Sequence, residues 1–176
     1  MADLLTVSFT AARDLDDGGR AAILNVLTTA VPHADRYVTG GCIGGDAFIG
    51  RWLFDNRPGA KHVIVVPAER GRVDSWWLGL PRGSWFPGGP VEVIHMPWGT
   101  TYADRNYQIV LRGTMLFGFP AYPEGDPRSA RSGSWQTIRM SRRAGKLSQW
   151  ACVKPPYKGR IEKHPSEFAR KRTADD

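Results

Sequence analysis

Three stretches of this chain combine glycine or small hydroxyl residues with a charged or amide side chain, a mixture suited to holding an anion. The first, Thr39-Gly40-Gly41-Cys42-Ile43-Gly44-Gly45-Asp46, places four glycines directly ahead of a helical pattern. Glycine lets the backbone approach a ligand closely, and a helix start offers unpaired N–H groups and a partial positive charge to a phosphate. Asp46 then either caps the helix or binds a ribose hydroxyl. In the second stretch, Thr100-Thr101-Tyr102-Ala103-Asp104-Arg105-Asn106, Arg105 could fork onto a phosphate while Asn106 reads a base or sugar edge. The third, Arg131-Ser132-Gly133-Ser134-Trp135-Gln136-Thr137, opens another helix, where Ser132 and Ser134 supply hydroxyls and backbone amides. Each has a plainer reading taken singly: a tight turn, a surface turn, a serine N-cap. Three of them on one sheet edge argue for a common site.

Other chemistries find little support. His33, His62 and His95 have no partner at ligand spacing and no nucleophile beside them, so they read as structural or exposed. Cys42 sits where thiolate character rises near a helix start, but nothing supplies a matching base. Cys42 and Cys152 lie far apart without zinc spacing, which predicts reduced thiols, no metal and no cofactor. The longest apolar runs, such as 63–66 and 115–117, are far too short to span a bilayer, and Met1-Ala2-Asp3 lacks the basic start of a signal peptide. No membrane partner and a cytoplasmic location are expected. The net charge of +7 gathers partly in 154–176, where Lys154, Lys158, Arg160, Lys163, Arg170, Lys171 and Arg172 read as a solvated, partly mobile basic tail.

The elements that must position these loops alternate. Strand patterns at 4–10, 36–39, 61–66, 91–96, 114–119 and 148–153 are separated by helical patterns at 18–31, after Asp46, at 102–111 and at 133–144. The continuous apolar run at 61–66 fits a parallel strand covered on both faces. Parallel neighbours need crossovers, usually helical, so the expectation is a single α/β domain over 1–153, Rossmann-like, with a predominantly parallel sheet and helices on both faces. Ligands in such sheets sit outside the carboxyl ends of the strands, where all three loops fall. The segment 70–89, with Trp76, Trp77, Trp85 and Phe86 among glycines and prolines, reads as an irregular aromatic excursion that covers a sheet edge or seals a subunit interface. That surface makes a homo-oligomer the expected assembly. The stretch 120–131 reads as a loop.

The order of elements over residues 4–153 resembles the SLOG superfamily, the Rossmann-like group that includes DNA-processing protein A and the lysine-decarboxylase-like phosphoribohydrolases. The resemblance rests on Thr10-Ala11-Ala12-Arg13-Asp14 after the first strand, the glycine-rich loop at 40–46, Asp104-Arg105-Asn106, and 132–137. It implies that Arg13, Gly40, Gly41, Gly44, Gly45, Asp46, Arg105, Asn106, Ser132, Gly133, Ser134 and Thr137 line a cleft for a nucleotide or nucleotide-derived ligand. Phosphoribohydrolases of the group carry Pro-Gly-Gly-x-Gly-Thr-x-x-Glu, whose final carboxylate works on the N-glycosidic bond; the matching position here is Thr137. An oxocarbenium-like transition state needs a placed carboxylate, which threonine does not supply. Glu124 and Asp126 in the preceding loop are the substitutes within reach.

Three functions follow from these readings. The first is a sensor or sequestering protein that binds a nucleotide-like small molecule and leaves it unchanged. The second is a nucleoside-monophosphate N-glycosidase using Glu124 or Asp126. The third is binding of single-stranded nucleic acid, with Trp76, Trp77, Arg82 and Trp85 stacking on bases. Thr137 favours the first.

Overall fold

The computed structural model describes residues 4–78, 85–86, 89–155 and 161–164. Strand β1 (Thr6–Ala11) leads to helix α1 (Asp17–Thr29), β2 (Arg36–Thr39), α2 (Gly45–Asn56) and β3 (Lys61–Val66). A short helix α3 (Ser75–Leu78) and a two-residue strand β4 (Trp85–Phe86) precede β5 (Gly89–His95). Then come α4 (Tyr102–Arg112), β6 (Met115–Phe119), α5 (Gly133–Arg143), β7 (Leu147–Ala151) and β8 (Ile161–His164). The sheet runs β4-β5-β3-β2-β1-β6-β7-β8. The six strands from β5 to β7 pair in parallel, and β4 and β8 add antiparallel edges. This is the expected Rossmann-like architecture.

Strand alternation divides the core between the two faces. Val7 and Phe9 point to the side of α1 and α2, where they pack with Ile23, Leu27, Ile49 and Leu53. Val63 and Val65 point to the other side, against Ile109, Trp135 and Ile138 of α4 and α5. On that second face β1 carries Thr6, Ser8 and Thr10, all buried. Their small size lets α4 and α5 approach closely: the Ser8 hydroxyl donates to the Ile109 carbonyl at 2.9 Å, and a Cβ at Gly113 would lie 2.1 Å from the Ser8 oxygen. The chain travels outward from β1 to β5, then returns through α4 to place β6 on the opposite side of β1. The β1/β6 boundary is therefore the topological switch point, where a crevice opens at the carboxyl ends.

Two segments differ from their sequence reading. The chain past 153 does not run on only as a tail, because Ile161–His164 pairs with β7 as β8. In the aromatic segment, Trp77 is 1% exposed and packs with Phe54, Ile64, Val66 and Val91, while Trp76 sits edge-on to Phe54. Both indoles cover the sheet, which removes the Trp77 face from any stacking role. The side chains of Arg82 and Trp85 lie outside the described residues. No helix among the described residues is long and apolar enough to cross a membrane.

Candidate functional site

A cavity of about 520 Å³ opens at the switch point, walled by the ends of β1, β2 and β6 and the starts of α4 and α5. That volume lies within the range of small-molecule sites. The walls bring together Arg13, Asp46, Arg105, Asn106, Ser132, Gly133 and Ser134. Sequence positions drawn from four separate loops thus meet at one site.

Behind the wall lies a buried ion pair. The Arg105 Nη1 donates to Asp46 Oδ2 at 3.0 Å, with the two side chains 7% and 6% exposed. Asp46 Oδ1 accepts the Ala11 amide at 3.0 Å, and Arg105 Nη2 reaches Cys42 Sγ at 3.0 Å. Burial pushes the Asp46 carboxyl up, against the opposing pull of the Arg105 guanidinium and the Ala11 amide. Burial, with the Asp46 charge second, pushes the Cys42 thiol up to about 11. Cys42 is therefore a protonated thiol at neutral pH and a poor nucleophile. The expected roles change accordingly. Asp46 does not cap α2, whose N-cap is Gly44 without a side-chain bond. Arg105 lines the cavity with Nη1 on Asp46 and Nη2 on Cys42.

The glycines serve this arrangement. A Cβ at Gly40 would lie 2.0 Å from Arg105 Nη1 and 2.2 Å from Asp46 Oδ2. At Gly45 it would meet the Ala11 Cβ at 2.4 Å, and at Gly44, where φ is +95°, the Arg13 carbonyl at 1.9 Å. At Gly41, with φ +63°, a Cβ would meet Ile64 and Val66 at 2.8 Å each. The space above each glycine is filled by the protein itself, and none of the four lines the cavity. At these four positions the glycines admit close approach of β1, the sheet and the ion pair, and Gly44 also lines a neighbouring groove.

The start of α5 faces the cavity more directly. Ser132 is the N-cap, its hydroxyl accepting the Trp135 amide at 3.2 Å. The amides of Gly133 and Ser134, in the same first turn, have no intrahelical acceptor. Asn106 is buried and reaches the Gly133 carbonyl and Gln136 Oε1 at 3.4 Å each, which ties α4 to α5. Thr137 is fully buried, donates to the Gly133 carbonyl at 2.8 Å and faces Thr10; it does not line the cavity.

Four cations complete the lining. Arg13 and Arg131 make no ion pair among the described residues, whereas Lys154 lies 3.2 Å from Asp14. Arg128 is held by Asp126 through Nε at 3.0 Å and Nη2 at 2.8 Å, and its guanidinium lies 3.8 Å from the Tyr122 ring centroid. The Trp135 indole N–H donates to the Tyr122 carbonyl at 2.8 Å, fixing that loop. Asp126 is thus spent on Arg128, and Glu124 pairs with Arg139 and Arg142 outside the cavity. Neither candidate carboxylate lines the cleft. The lining carboxylates among the described residues are Asp46, buried in its pair, and Asp14, exposed beside Lys154. The sequence does not single out Tyr122 or Arg128, and it assigns Lys154 to a solvated tail; an aromatic and an arginine in the loop after a switch-point strand are the available signal.

No family model and no curated protein matches the chain. Among solved structures it is similar to DNA processing protein A from Helicobacter pylori, a structure determined for its single-stranded DNA binding mode. The TM-score is 0.51 at 12% identity, over 97% of this chain and 73% of that one. The likeness is one of fold.

Proposed function

We propose that this chain is a SLOG-type binding protein that holds a nucleotide-like phosphate ligand in the switch-point cleft and leaves it intact. The observation that carries the reading is an imbalance in the lining: Arg13 and Arg131 make no ion pair among the described residues, whereas Asp46 and Asp14 are both answered by cations. Such a cleft attracts an anion, and the Gly133 and Ser134 amides add donors at a helix start. The guanidinium plane of Arg128, locked by Asp126 over Tyr122, offers a flat face on which a base stacks. Among the described residues, the cavity wall offers hydrolysis of the glycosidic bond no carboxylate without a cation partner.

The test is to incubate the protein with a panel of nucleotides and nucleotide-derived signals and to identify bound and released species by mass spectrometry. Intact ligand in the bound fraction, lost in an Arg13→Ala, Arg131→Ala double variant, is expected. Release of free base would overturn the binding-only reading.

A second reading is single-stranded DNA binding. It is favoured by the fold shared with DNA processing protein A and by Trp98, 94% exposed on the loop after β5 at the same sheet edge as the cleft. Binding of a DNA strand with a steep salt dependence, and of no nucleotide, would select it.

A further inference from the structure

A second groove, of about 530 Å³, lies beside the cleft and shares Arg13, Asp14 and Ile43 with it. Its lining includes the apolar Leu15, Ala47 and Phe48, and Arg20, Arg51 and Asp74 join Arg13 and Asp14 in it. Arg51 is answered by Asp74, and Arg20 by an exposed contact to Asp17 at 3.5 Å that binds it weakly. Arg13, between the two basins, has no ion pair among the described residues. Of the two charged residues shared by both basins, Asp14 is answered by Lys154, and Arg13 is the one with no ion pair among the described residues.

We infer that the ligand is of the dinucleotide class, two nucleosides bridged through phosphate, with one unit in each basin and the bridging phosphate at Arg13. This rests on the cleft reading above. Each basin has the volume of one small-ligand site. The apolar surface of Leu15 and Phe48 suits the face of a second base, and the weakly held Arg20 suits the oxygens of its sugar and phosphate. Joining two weakly held units makes the second contact intramolecular, so the pair binds more tightly than either unit alone.

The experiment compares affinities, by calorimetry, for adenosine and guanosine monophosphates, the corresponding 5′-phosphorylated dinucleotides, and an oligonucleotide of about twelve units. A dinucleotide is expected to bind at least about tenfold more tightly than its monophosphate. Arg20→Glu, an exposed change on α1 outside the lining of the first cleft, is expected to erase that gain and leave monophosphate affinity unchanged. A dinucleotide no tighter than the monophosphate overturns this inference alone. An equal loss of both affinities in Arg20→Glu also overturns it, since the second groove would then not act separately. Affinity that keeps climbing to the longer strand overturns it in favour of a strand-binding surface. Failure of every mono- and dinucleotide to bind overturns the cleft reading itself.

Discussion

Arg105 and Asp46, 59 positions apart, meet as a buried ion pair that joins the start of α4 to the start of α2 across the back of the cleft. The pair is a structural strut, and its burial determines what happens when one half is removed. Asp46→Asn leaves a guanidinium without its counter-charge in a desolvated site, so unfolding by urea is expected to show a loss of about 3–5 kcal/mol. Combining it with Arg105→Met is expected to restore part of that loss. A single variant as stable as the parent would show the pair to be dispensable.

The glycine-rich loop gives a second expectation. Gly40→Ala drives a methyl into Arg105 and Asp46, and overpacking of this kind costs about 1–3 kcal/mol. If the glycine served the ligand instead, stability would hold and only affinity would fall; a thermal melt beside a titration separates the two.

Cys42 carries a pH signature. Its folded value, about 11, lies above the ordinary 9.0, so the unfolded chain releases the thiol proton first as pH rises. The stability it contributes is fully present below pH 9.0 and is lost toward about 11. The urea midpoint of the parent is expected to fall across that window more steeply than that of Cys42→Ala. Iodoacetamide at neutral pH is expected to label Cys42 only after denaturation.

Arg128→Lys keeps a positive charge but loses the plane that lies over Tyr122. Affinity for a nucleoside monophosphate is expected to drop about tenfold, with affinity for ribose 5-phosphate nearly unchanged. Equal losses for both probes would assign Arg128 to the phosphate rather than the base.

Periodicity revealed the alternating strands and helices because each element's apolar pattern is local, and the three loops fell into place once the sheet was parallel. What it did not reveal was pairing over distance. Nothing in the spacing of Asp46 and Arg105 marks them as partners, so the sequence offers them as separate cleft residues and not as an ion pair. The same blindness hid β8, whose Ile161–His164 gains a partner only through β7. It also hid Tyr122 and Arg128, which become a stacked pair only when Asp126 and Trp135 fix their loop. Thr137 was recognised as a departure from a carboxylate, yet its burial against Thr10 became visible only once β1 lay beneath α5.

The hydroxyl residues of β1 act as a shim. Ser8 touches no part of the cleft, yet it sets how far α4 stands from the sheet, and α4 carries Arg105 and Asn106 into the wall. Cleft width is therefore inherited from side-chain size on the underside of a central strand. Selection acting on that layer can retune which ligands fit without altering any residue that touches them.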